Sequence, residues 1–561
     1  MKKPKLSELT LREKIAQTIC IRQYALNQRV EVDELIHRTQ DEKEQIMKDG
    51  QYGCMWCQGG QVLREVTLEE KNWHDGLKVS SKDYADWLTP LCSQLKIPML
   101  CATDAASGGG GMFNDLTMVS RGLAIGAADS EELAYEQGVC IGKELRCAGI
   151  NWRWAPVVDL GSVFSYSCMR AFVHNDPERL VRLSNAHIRG IQDAGVAATA
   201  KHFPGPDGFE FRDSHYTATA NKSTMEEWWA RQGKVFQGVI DGGVYSVMIG
   251  HSAFPAADDT ILHGKYIPCT LSKKVITDLL KCKMGFKGVV VTDAIEMASL
   301  SAHYEEKELI VQLIKAVNYM ILGTYDFGFM DYVEQSVIDG RLSEERIDDA
   351  CQRVLDMKEK LGMFDGDYPL CEGNRDELIA RTVEVDTKIS EKALTLIRDR
   401  NNQIPFDSSK VKNVTIICSA HSDAFYGALN VMKEEFEKRG AKVRLHRRLN
   451  QRDEIQEIAD SSDLIIYAAY LAAHTPKGAP SFYGPEMQTF YYAFTIGREK
   501  SIGVSFGYPL IHYTTMENAD VFVNAYISSP AMMRSFVKAI YGEIDFEGKS
   551  PIDTEPSRRI W

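Results

Sequence analysis

Between residues 16 and 322, short apolar or β-branched runs alternate with longer amphipathic stretches, and this alternation constrains the fold more than any other feature of the chain. The short runs are Ala16–Ile21, Tyr52–Cys57, Pro98–Ala102, Ile150–Val158, Val196–Ala200, Tyr245–Ile249, Gly288–Thr292 and Tyr319–Leu322. Between them lie amphipathic stretches such as Ser130–Ala148, Glu178–Ala194, Thr224–Asp241 and Ser272–Lys283. Strand alternating with helix predicts βαβ units and a parallel sheet, and eight strands in this span fit a closed (β/α)8 barrel. An amphipathic helix, Ser343–Phe364, closes the region, with Gly362 as its stop signal. The domain boundaries read as a barrel over 1–365, a linker over 366–386 and a smaller α/β unit over 387–561. A helix at about Asp376–Leu396 leads out of the linker. In the smaller unit the expected strands are Val414–Cys418, Lys442–Leu445, Leu464–Ala468, Ser501–Ser505 and Val521–Asn524, with helices between them such as Ala424–Arg439.

Composition excludes several classes. The net charge is −13 and no dense block of Lys and Arg offsets it, so a nucleic-acid scaffold, which needs a basic footprint, is not expected. The longest strongly apolar run, Leu464–Ala473, is about half the length of a membrane span, and the N-terminal MKKPKLSELT lacks the apolar core of a signal peptide. The 13 cysteines are odd in number and dispersed, which reads as free thiols in a reducing, cytoplasmic setting rather than as a disulfide framework.

Polar residues stand at the ends of four expected barrel strands: Asp104, Lys201 with His202, His251, and Asp293. In a parallel barrel these ends share one face, where catalytic groups collect. The loop from Lys201 to His215 (KHFPGPDGFEFRDSH) ends in Asp213-Ser214-His215. A carboxylate bound to one imidazole nitrogen fixes the tautomer, raises basicity and leaves the other nitrogen for proton transfer. By spacing alone a D-x-H also fits a polar loop.

Taken with K-H-F-P-G, this segment resembles glycoside hydrolase family 3, in particular its bacterial β-N-acetylglucosaminidase branch. The resemblance runs through LSELTLREKIAQ, ELRCAGINWRWAPVVDL (Glu144–Leu160), Arg170-Ala171-Phe172, SVMIGHSAFPA, the segment Thr270–Leu300 containing VVVTDAIEM, SFGYP (Ser505–Pro509) and AIYGEIDFEGKSPI. It implies a TIM-like barrel followed by an αβα sandwich. It implies a retaining exo-β-N-acetylglucosaminidase acting on a small carbohydrate, such as a GlcNAc-terminated peptidoglycan fragment, without metal or cofactor. Carried over residue by residue, Asp293 matches the nucleophile and His215, paired with Asp213, the general acid/base. Asp104, Arg170, Lys201 and His202 match binders of sugar hydroxyls, and His251 matches a polar position near the sugar. An imidazole, with an ordinary pKa near ~6.5, can give and take a proton around neutrality. Rival readings are a β-N-acetylglucosaminide phosphorylase or a β-glucosidase of the same family and, in another class, a catalytically weak sugar-binding protein.

Four departures from the family pattern are expected to lie near the sugar. Asp104-Ala105-Ala106-Ser107-Gly108-Gly109 replaces D-Q-E-G-G, and the Lys201–His215 loop is one residue longer than usual. AFVHNDP follows Arg170 in place of SFGxDP, and Tyr319 stands where an Asp is usual.

Other signals point elsewhere. Gly503–Gly507 matches G-x-S-x-G, but no acid lies between Ser505 and His512 to complete a triad in hydrolase order. Cys54-Met55-Trp56-Cys57 falls within an expected strand and reads as two buried thiols. The glycines 108–111 make no phosphate-binding motif. Glu486 is expected on the surface of the smaller unit, although some two-domain relatives draw their acid from that domain.

Overall fold

The computed structural model describes residues 2–31, 34–58, 79–161, 170–207, 210, 212–317, 319–322, 327–365, 371, 373–420, 422–471 and 482–554. Eight parallel strands close a barrel in chain order: β1 (Ile19–Arg22), β2 (Cys54–Trp56), β3 (Leu100–Thr103), β4 (Trp152–Arg153), β5 (Ala197–Phe203), β6 (Ser246–Ile249), β7 (Val289–Ala294) and β8 (Met320–Leu322). Strand β1 pairs with both β2 and β8, which closes the ring. Strands β1, β3 and β6 are buried along their whole length, as expected where side chains of a parallel sheet face either the barrel interior or the covering helices. Inside the barrel, Trp152 Nε1 donates to Thr199 Oγ1 at 2.8 Å and to Ser246 Oγ at 3.1 Å, so the indole N–H is satisfied without water.

The strands differ from the expected runs at their ends, for local reasons. A capping box between Thr10 and Glu13 starts a helix that runs through Gln17, so β1 begins only at Ile19. The run Ile150–Val158 contributes only two strand residues; Pro156 has no N–H to give a ladder, and Val157 makes one isolated bridge to Lys201. Strands β5 and β7 run longer than expected, so Lys201, His202 and Asp293 occupy their final residues rather than the loops beyond.

The chain divides into two compact units. One comprises Met1–Met118, Ala134–Asp159 and Ser184–Thr382 and holds the barrel; the other comprises Val119–Leu133, Leu160–Leu183 and Val383–Trp561. The second unit contains a six-stranded sheet: β9 (Thr395–Asp399), β10 (Asn413–Ala420), β11 (Lys442–His446), β12 (Leu464–Tyr470), β13 (Ser501–Ser505) and β14 (Val521–Asn524). Its order is β9-β14-β13-β12-β10-β11, parallel except for the antiparallel pair β9 and β14. The helix expected to reach Leu396 stops at Ala393, and Thr395–Asp399 turns into the edge strand β9. The helix expected over Ala424–Arg439 is two helices, Asp423–Ala428 and Asn430–Lys438.

The expectation that all cysteines are free thiols is corrected at one pair. Cys147, at the end of the helix Glu131–Cys147, is joined to Cys371 by a disulfide. Cys54 and Cys57 are buried and free, as read from the strand they lie in. Among the described residues no helix is long and apolar enough to cross a membrane.

Candidate active site

The carboxyl ends of β3, β5, β6 and β7 carry the polar residues singled out in the sequence. Lys201 is buried and its ammonium pairs with Asp104, whose side chain is 45% exposed. The pair therefore presents an open carboxylate edge with its charge balanced from beneath. Behind it lies Arg153, at the end of β4, which the sequence reading did not single out. It is buried, with Nη2 donating to the Ala105 carbonyl at 3.1 Å and Nη1 2.8 Å from His187 Nε2. Burial lowers the Arg153 pKa to about 10, against the opposing pull of the Asp104 charge. Burial, reinforced by the Arg153 charge, drives His187 down to about 3. His187 is thus neutral, donating from Nδ1 to the Ala134 carbonyl at 3.0 Å and accepting from Arg153.

His202 is oriented by Asp159. The Asp159 carboxylate accepts from the His202 backbone N–H at 2.8 Å and meets Nδ1 at 2.8 Å, and it is itself buried. That leaves Nε2 directed toward Asp293 Oδ2, 3.9 Å away. The peptide bond between Lys201 and His202 is cis.

Asp293 is held ionised by its neighbours. Burial opposes its charge, but His202, His251, Lys201 and the Ala294 N–H, which donates to Oδ1 at 2.8 Å, hold its pKa down to about 2. His251 is buried and both its nitrogens are engaged: Nδ1 with Thr270 Oγ1 at 3.1 Å, and Nε2 with the Ala294 carbonyl at 2.9 Å. Burial lowers its pKa despite the nearby Asp293 charge, and its bond to the Ala294 carbonyl fastens the peptide that follows Asp293.

Asp213 and His215 form the dyad expected from their spacing. Asp213 Oδ1 accepts the His215 backbone N–H at 2.9 Å and lies 2.7 Å from Nδ1. The aspartate side chain is buried at 6% exposure and the imidazole is open at 39%. The Ala298 N–H donates to the His215 carbonyl at 3.0 Å and ties this loop to the segment after β7. Within one unit, then, are an ionised carboxylate on a strand end and a carboxylate-backed imidazole on a neighbouring loop. These are the components of nucleophilic attack and of proton transfer. Arg170 belongs to the second unit, where its carbonyl packs against Gly122.

Of the departures, Tyr319 is corrected in place. It precedes β8, at the end of the barrel opposite these groups, and its hydroxyl donates to Asp349 at 2.9 Å under Lys281, Arg346 and Arg353. The glycine run serves close packing: a Cβ on Gly110 would come within 2.3 Å of the Met118 nitrogen. Ser505 is buried, and its hydroxyl donates to the Tyr508 carbonyl at 2.8 Å. Glu486 opens the helix Glu486–Tyr492 and lies 3.6 Å from Arg448.

Residues 10–357 match the model of the glycosyl hydrolase family 3 N-terminal domain. The chain is 26% identical over 517 residues, 88% of each chain, to a β-N-acetylglucosaminidase/β-glucosidase of Cellulomonas fimi. It is 30% identical over 253 residues, 42% of this chain and 73% of the other, to a β-hexosaminidase of Stenotrophomonas maltophilia. The solved structure of a family 3 β-N-acetylglucosaminidase from a Paenibacillus species superposes with a TM-score of 0.78 at 26% identity, covering 97% of this chain and 99% of that one. A β-glucoside phosphorylase shares the fold, with a TM-score of 0.79 at 23% identity over 98% and 95% of the two chains.

Proposed function

The chain belongs to glycosyl hydrolase family 3, and on that premise we propose that it is a retaining, exo-acting β-N-acetylglucosaminidase. The observation that carries the reading is the pairing of Asp293, held ionised at about 2, with His215, open to solvent and backed by Asp213. In the first step Asp293 attacks the anomeric carbon, the bond to the leaving oxygen breaks, and protonated His215 gives that oxygen its proton. In the second, His215 takes a proton from water as the water attacks the anomeric carbon, the bond from that carbon to Asp293 breaks, and the sugar leaves with its configuration retained and the Asp293 carboxylate restored. The Lys201–Asp104 pair binds sugar hydroxyls through charge-assisted hydrogen bonds, and His202 binds a further hydroxyl. His251 acts as a positioning residue through Ala294. The named activities of the Cellulomonas, Stenotrophomonas and Paenibacillus proteins support an N-acetylamino sugar as the glycone. By analogy with the family, the substrates are GlcNAc-terminated cell-wall fragments.

The test is trapping. A 5-fluoro N-acetylglucosaminyl fluoride should leave a covalent adduct that peptide mapping assigns to Asp293. An adduct on another residue, or turnover with inverted product and no adduct, overturns the proposal. β-Glucosidase activity is the second reading, supported by the double name of the Cellulomonas relative. Rates on aryl β-GlcNAc and aryl β-glucoside, each with and without phosphate, rank the two sugars and show whether phosphate replaces water.

A further inference from the structure

Tyr216 follows His215 directly, and its side chain is 60% exposed. A large aromatic ring left in water forgoes the burial that normally justifies it. The Tyr216 backbone is nevertheless held in a hydrogen-bonded turn. The Asp213 carbonyl accepts from the Tyr216 N–H at 3.1 Å and from the Thr217 N–H at 3.2 Å, and the His215 carbonyl accepts from Ala298 at 3.0 Å. Tyr216 and His215 therefore share one fixed backbone frame, with ring centroids 6.5 Å apart and planes inclined by 41°. The Tyr216 hydroxyl makes no hydrogen bond to another described residue, so nothing in the turn uses the side chain.

We infer that Tyr216 is the platform on which the leaving group rests, and that the leaving group is a pyranose ring. The inference rests on the glycosidase reading above. If His215 protonates the glycosidic oxygen, the group beyond that oxygen must lie within reach of whatever flanks the imidazole. The glycone side is already supplied with polar pairs, Lys201 with Asp104 and His202 with Asp159, which suit hydroxyls. Tyr216 offers a different chemistry, a flat apolar face with a polar edge. That matches a pyranose, whose axial C–H bonds form an apolar face and whose hydroxyls lie around its rim. Because the Tyr216 backbone is held by its turn before substrate arrives, binding has only the side-chain torsions left to order.

The experiment compares a substrate with a sugar leaving group against one with none. Wild type, Tyr216→Ala and Tyr216→Trp are assayed on N,N′-diacetylchitobiose and on β-N-acetylglucosaminyl fluoride, whose leaving group is a single atom. Tyr216→Ala should lower kcat/KM for the disaccharide by about tenfold, the worth of one aromatic contact, and leave the fluoride within about twofold. Tyr216→Trp should restore the disaccharide rate. Transfer to added GlcNAc as acceptor should fall in the alanine variant, because the acceptor occupies the place the leaving group vacates. Equal losses on both substrates would mean that the change acts through His215, and no loss on either would mean that the ring touches nothing; each result overturns the platform while leaving the glycosidase reading intact. A wild type inert on both substrates overturns the two together.

Discussion

His202 stands between two carboxylates, Asp159 at 2.8 Å from Nδ1 and Asp293 at 3.9 Å from Nε2. Only the first is a hydrogen bond, and it decides which ring edge faces Asp293. Oδ1 of Asp159 serves the backbone N–H and Oδ2 serves Nδ1, and Asn keeps only one of these two acceptors, so the ring is free to rotate or change tautomer. An outer partner of this kind is worth roughly 10- to 100-fold where its effect has been measured at metal-bound histidines. Asp159→Asn should lower kcat by an amount in that range with an unchanged circular dichroism spectrum, whereas a structural role alone would lower the melting temperature and spare kcat of the folded fraction. The sequence makes Asp293, Asp213 and His215 legible, because local motifs carry them: V-T-D-A-I-E-M in one case, a two-residue spacing in the other. Asp159 is not legible in this way. It lies 43 residues from His202 in the apolar context V-V-D-L, and only closure of the barrel joins the two. Arg153 and His187 are hidden for the same reason: a buried cation beside a neutral imidazole has no signature in the chain.

At the scale of the element, continuous apolar runs were readable as barrel strands because each is covered on both faces. Strand β9 was not readable, since it is mostly half-buried, carries Arg398 and Asp399, and follows an amphipathic helix almost without a break. That helix, Arg375–Ala393, holds Asp386, which is 3% exposed. Its carboxylate accepts from the Ser120 N–H at 2.6 Å and lies 3.5 Å from Ser529 Oγ, with no cation among these partners. Burial outweighs the hydrogen bonds and raises its pKa from 3.8 to about 6. The sign follows from linkage: a folded pKa above the unfolded one means that the native state binds the proton more tightly between those values. Stability therefore falls as pH rises through that window, and above it the folded protein carries an unfavourable buried charge. Asp386→Asn removes the charge and keeps an acceptor for Ser120. The variant should be more stable than wild type at pH 7.5 by about 1–3 kcal/mol, a difference that vanishes near pH 4. Denaturant titrations at the two pH values measure it, and a variant less stable at pH 7.5 would show that the carboxylate is favourable where it stands.

On the scale of the whole molecule, a boundary drawn along the chain captures the second sheet but not the compact units, because part of the N-terminal half belongs with the C-terminal residues. The Lys549 N–H donates to the Ala127 carbonyl at 3.0 Å, the His174 N–H donates to the Pro551 carbonyl at 2.8 Å, and Arg179 Nη1 donates to the Ser550 carbonyl at 3.2 Å. The first two are backbone meetings that any sequence could make, and the third joins an arginine to a carbonyl 371 residues away, so composition and periodicity carry no trace of them. The disulfide is a long-range feature of the same kind. Thirteen dispersed cysteines give no framework to read, yet folding brings Cys147 to Cys371 across 224 residues of chain. Cross-linking residues so far apart restricts the unfolded ensemble more than the folded one, with typical gains of about 2–4 kcal/mol. Protein purified without reductant and then denatured should show at least two fewer reactive thiols than the thirteen found after reduction, because of this pair. The reduced protein should unfold at lower denaturant concentration, and Cys147→Ser should show that lower midpoint whether or not reductant is present. Thirteen thiols before reduction would mean that the two sulfurs meet without bonding, and the chain would then owe none of its stability to a covalent link.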